Sequence, residues 1–207
     1  MTHCSSGSCS GNHAAVSCPC PVEGNPHIDS FVKMVNCYWQ NQQGLAVERD
    51  YYQGLESLAV AIEESVLALE DENLGYDQPD RISKAALGEI RDVLLTAADE
   101  LSACSDFDSF YGLVESLVGD KTGITPGLVY MTTWRLGLQA GVAPKRIYLE
   151  TGARNGAAAL VMLEPEQRFL ERGDLPAIFQ HPELTIEDVQ ACLDVCSGQL
   201  HWLANKS

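Results

Sequence analysis

Positive charge is scarce in this chain. Only 13 Lys and Arg stand against 29 Asp and Glu in 207 residues, a formal balance of −16. A surface this acidic repels nucleic acid and anionic lipid as a whole. It either keeps the protein soluble or suits a basic partner. Long apolar runs are also missing. None reaches the roughly 18–20 residues that span a bilayer as a helix, so no membrane segment is expected. The opening stretch "MTHCSSGSCSGNHAAVSCPC" has neither a basic start nor an apolar run. No secretory signal is therefore expected, and the default location is cytoplasmic. Period-two alternation is absent over any strand-like length, so no sheet is expected. There is no Ser/His/Asp set, no phosphate-cradling Walker loop and no HExxH, which removes the enzyme classes that those motifs mark.

Helical periodicity is present in quantity. "YYQGLESLAVAIEESVLALEDEN" repeats Leu55, Leu58, Ala59, Ile62, Val66 and Leu69, and "DRISKAALGEIRDVLLTAADEL" repeats Ile82, Ala86, Ile90, Val93, Leu94, Ala97 and Leu101. Spacings of three and four residues place these side chains on one helix face. Phe31, Val32, Val35 and Tyr38 begin the series. "SDFDSFYGLVESLVG" forms a shorter helix, with Ser105 or Asp106 as cap and Gly119 as stop. Thr185 and Asp188 form a near capping box before a closing helix. The fold class is all-α. Residues 1–24 are rich in Ser, Gly and Cys and read as a flexible tail, and residues 25–207 read as a single helical domain.

Three features carry possible chemistry. The first is "GDKTGITPGLVYMTTW", a glycine-rich corner in which Thr125 caps a helix opening at Pro126. A proline is tolerated there because its missing N–H has no helical partner. Such a corner can simply join two helices. It can also grip a phosphate, because unpaired N–H groups at a helix start attract anions. On the second reading Gly123, Thr125 and Gly127 present the backbone, while Lys121, Lys145, Arg146 and Arg154 supply charge. Residues 121–172 hold seven of the 13 basic residues.

The second feature is the cysteine content. Cys4, Cys9, Cys18 and Cys20 crowd the first 20 residues. Thiolates suit zinc or another soft metal, a redox-sensitive tail, or disulfides. Cys37 and Cys104 lie on apolar helix faces and are expected in the core. Cys192 and Cys196 share a helix face and are expected to pack as small hydrophobes. The third feature is the run of acidic residues along the helices at 48–73 and 77–108, a surface on which a basic protein can dock.

Over residues 110–165 the chain resembles the helix-hairpin-helix corner of DNA glycosylase-like proteins. It is also similar to uncharacterised bacterial proteins with a "GIGPLxVY" corner followed by "VYLxxGxRxGA", here "GITPGLVY" and "IYLETGARNGA". The resemblance implies a corner at about 110–140 that contacts a nucleic-acid backbone. It also places Glu150 where those glycosylases carry a catalytic Asp. The leading expectation is a non-enzymatic binding module for a nucleic-acid backbone. An acidic module that docks on a basic protein and a glycosylase-like enzyme using Glu150 are the alternatives.

Overall fold

The structure, a computed structural model, describes residues 27–41, 43–74 and 82–206. Ten α-helices are described: α1 Phe31–Asn41, α2 Gln43–Gln53, α3 Leu58–Leu74, α4 Lys84–Thr96, α5 Ala98–Ser102, α6 Phe107–Val118, α7 Pro126–Ala140, α8 Thr151–Ala158, α9 Ile186–Val195 and α10 Ser197–Ala204, with short 3-10 turns at Arg172–Asp174 and Ala177–Gln180. The all-α class holds. The tail at 1–24, with Cys4, Cys9, Cys18 and Cys20, lies outside the described residues.

The helix starts follow their capping chemistry. Ser83, Asp106 and Thr125 each accept a backbone N–H from the first turn of the helix that follows. Thr185 and Asp188 complete a reciprocal capping box at α9. Pro126 occupies the first turn of α7. The turn between α6 and α7 is closed by Gly123 at φ 84°, a left-handed conformation that glycine adopts without steric penalty. The acidic stretches are not continuous helices. α2 ends at Gln53 before α3 opens at Leu58, and α4 yields to α5 at Ala97.

One expectation is corrected. A short antiparallel ribbon pairs β1, Ile147–Tyr148, with β2, Phe169–Leu170. Two residues are too few to show a period. The ribbon nevertheless organises the interior, because successive strand side chains point to opposite faces. Tyr148 joins a core built from α2 to α7, with Phe110, Val114, Trp134 and Leu136. Its neighbour Ile147 joins a second core, from α1, α8, α9 and α10, with Phe179, Leu193 and Leu200. Partly buried ion pairs act within the first core and between the two cores, in that order. Arg135 on α7 reaches Glu48 on α2 at 2.6 Å, and Arg49 on α2 reaches Asp188 on α9 at 3.6 Å. Cys37 and Cys104, expected in the core, are both only partly buried against it, and Cys37 is disulfide-bonded. Cys192 and Cys196 are buried in the second core.

Candidate functional site

A cavity of about 250 Å³ opens where the starts of α7 and α8 meet α9. Two helical stripes build most of its wall. On α7 these are Gly127, Tyr130, Met131 and Trp134. On α9 they are Glu187, Gln190, Ala191 and Asp194. Both sets follow the i, i+3, i+4, i+7 spacing of a single helix face. Leu45, Thr125, Leu128 and Glu150 complete the wall. Thr125 and Asp194 are exposed, so the rim meets water.

Glu150 owes its place to the sequence around it. It is the N-cap of α8, with Oε2 accepting the Gly152 N–H at 2.8 Å and Oε1 accepting the Ala153 N–H at 2.9 Å. It is buried, and a Cβ on Gly127 would stand 3.5 Å from Oε2. The glycine-rich corner and Glu150 are therefore direct neighbours. Burial raises the Glu150 pKa above the ordinary carboxylate value. The Ala153 N–H works against that shift, and the nearby Asp194 charge adds to it. Asp194 keeps an exposed edge, but the protein crowding its carboxylate still raises its pKa by desolvation. Burial and the charges of Glu187 and Glu150 hold the Tyr130 hydroxyl firmly protonated.

Gln190 is fixed by its partner. Its Oε1 accepts the Tyr148 backbone N–H at 2.8 Å, so the other end of the amide must be the NH₂ group. That nitrogen has no partner within the described structure. The same holds for Trp134 Nε1 and the Tyr130 hydroxyl.

Glu150 also forms part of a second cavity of about 200 Å³, with Pro126, Tyr111, Tyr148, Phe169, Arg154 and Arg168 in its wall. Its cations are engaged. Arg168 meets Glu115 at 2.5 Å, and Arg154 donates to the carbonyls of Glu164 and Gln167.

The structure divides the residues expected to grip a phosphate. Thr125 and Gly127 line the acidic cavity, and Gly123 forms the turn before it. The Thr125 hydroxyl already accepts the Leu128 N–H at 3.3 Å, and Pro126 has no N–H to offer. Lys121 meets Glu89 at 3.4 Å, and Arg146 meets Asp108 at 2.8 Å while lying over the Phe169 ring. Lys145 is exposed. Neither Lys121, Lys145, Arg146 nor Arg154 lines the acidic cavity. Glu187, Gln190 and Asp194 were not singled out from the sequence, although their spacing on one face of α9 was readable.

Among the described residues no group of three or more His, Cys, Asp or Glu side chains is arranged to hold a metal ion. No described helix is long and apolar enough to cross a membrane.

Asp194 gives the site a measurable pH signature. Its raised pKa means that the folded state binds a proton more tightly than the unfolded chain. The ionised carboxylate therefore lowers stability at neutral pH, and that penalty is relieved as pH falls through the raised value. Asp194→Asn should melt above the parent protein at pH 7, and that advantage should shrink at pH 4. Thermal unfolding at both pH values checks this. An unchanged difference at the two pH values would show that the charge of Asp194 is not what costs stability.

Comparison with known proteins finds no matching family, no matching curated protein and no matching solved structure.

Proposed function

We propose that this chain is a binding module for a basic partner, and that the acidic cavity receives a positively charged group of that partner. One observation carries the reading. Glu150, Glu187 and Asp194 share the wall of a single cavity that no Lys or Arg lines. Opposite charge stabilises an ion held close in a partly desolvated site. The Tyr130 and Trp134 side chains in the same wall add π surface, which attracts cations. The overall balance of −16 steers cations toward the molecule. A phosphate at the same corner would meet the Glu150 carboxylate beside Gly127, and three of the nearby cations are already engaged in ion pairs or carbonyl contacts.

Calorimetric titration with spermidine and with a short DNA duplex, both at low salt, tests the choice. Spermidine is expected to bind and the duplex is not. Glu187→Gln should weaken spermidine binding about tenfold or more, since a hydrogen bond to a charged group contributes about 1.5–3 kcal/mol. Duplex binding without spermidine binding would reverse the assignment and return the corner to a nucleic-acid role.

A further inference from the structure

A bare cation leaves half of the acidic cavity unexplained. Trp134 Nε1, Gln190 Nε2 and the Tyr130 hydroxyl are buried donors with no partner within the described structure. Their residues are 2%, 2% and 6% exposed, and all three belong to the cavity wall. A buried donor left unpaired costs about 1–3 kcal/mol, so three in one wall call for a common explanation. An ammonium or guanidinium group can donate to the Tyr130 hydroxyl, which also accepts, but it cannot partner the Trp134 and Gln190 N–H groups, because it accepts no hydrogen bond. A ligand that answers both sets of groups carries a positive head with an acceptor oxygen close beside it. That oxygen is neutral, because a free carboxylate would enter a wall with three carboxylates and no cation. An ammonium next to an amide carbonyl has this chemistry, and the start of a polypeptide presents it.

We propose that the cavity captures the N-terminal residue of a peptide. The α-ammonium sits among Glu150, Glu187 and Asp194. The first carbonyl accepts from Trp134 Nε1 and Gln190 Nε2. The first side chain packs on the apolar part of the wall, at Leu45, Leu128 and Met131. This assignment rests on the cationic-site reading above and names its partner class.

The test uses the full chain and three probes in calorimetric titration: the tripeptide amide Leu-Ala-Gly with a free N-terminus, its N-acetylated form, and spermidine. The free tripeptide should bind at least about tenfold more tightly than either of the others, the difference made by one additional charge-assisted hydrogen bond. Trp134→Phe keeps an aromatic ring but removes the N–H. It should weaken the free tripeptide about tenfold and weaken spermidine by clearly less, because the Phe ring still offers the cation an aromatic face. Gln190→Glu keeps the acceptor for the Tyr148 N–H while replacing the donor by a carboxylate. It should weaken the tripeptide and strengthen spermidine. Melting curves establish that both variants are folded. Equal binding of the free and acetylated tripeptides overturns the proposal, as does spermidine binding as tightly as the free tripeptide. In both cases spermidine binding keeps the cationic site itself standing. If neither the free tripeptide nor spermidine binds, the cationic-site reading fails together with this one.

Discussion

Gly156→Ala is expected to lower the melting temperature by about 10 °C. A Cβ at this position would lie 2.9 Å from Leu193 Cα and 2.6 Å from the Leu193 carbonyl carbon, and nearer still to the carbonyl oxygen. These are backbone atoms in the last turn of α9, and they cannot swing aside. The two helices must separate. Overpacking of a tight interface typically costs about 1–3 kcal/mol and occasionally more, and the upper end applies where backbone meets backbone. For a chain of this size each kcal/mol shifts the midpoint by about 2–4 °C. Gly152 lies one turn away on the same face of α8, and the contrast is informative. A Cβ there would run into the Asp194 carboxylate, the far end of a flexible side chain at the exposed rim. Gly152→Ala should therefore melt close to the parent protein while displacing Asp194 and weakening cation binding. Circular-dichroism melts of both variants decide the matter. A Gly156→Ala protein that melts within about 2 °C of the parent would show that α8 and α9 are not in close backbone contact.

The pair of glycines shows what the sequence makes readable. Helix limits were readable because caps are local. Thr125 before Pro126, Asp106 before its helix, and the Thr185–Asp188 box each act within four residues. The apolar stripes of α3 and α4 were readable for the same reason. The ribbon was not, because two-residue strands carry no periodicity, and its pairing joins residues more than 20 positions apart. The positive segment at 121–172 was visible as a local excess of charge. Its neutralisation was not, because Glu89, Asp108 and Glu115 come from α4 and α6. The acidic cavity was hidden by a different ambiguity. Glu187, Gln190 and Asp194 look like the solvated face of an ordinary amphipathic helix. Only the packing of α9 near the start of α7 turns that face into a wall, with Gln190 2% exposed. Glu150 was identified by resemblance to a catalytic carboxylate. The structure gives it a capping role and a place in both cavities.

That double role of Glu150 predicts two variants with different outcomes. Glu150→Ala removes the acceptors of the Gly152 and Ala153 N–H groups at a helix start that is largely buried. Loss of an N-cap costs about 0.5–2 kcal/mol, and unpaired buried donors add to it. Relief of a buried carboxylate whose pKa is already raised works the other way. A net loss of about 2 kcal/mol follows, or a midpoint lower by about 4–8 °C. Cation binding should fall with it. Glu150→Asp separates the two effects. Asp is among the preferred N-cap residues, so α8 keeps its cap and the melting temperature stays within a few degrees of the parent. Its carboxylate is one methylene shorter, however, and withdraws from Gly127 and the cavity. Spermidine affinity should then drop by about tenfold without loss of stability, since a charge-assisted contact contributes about 1.5–3 kcal/mol. If Glu150→Asp bound spermidine as well as the parent does, Glu150 would be a cap alone, and the charge that recognises the ligand would reside on Glu187 and Asp194 of α9.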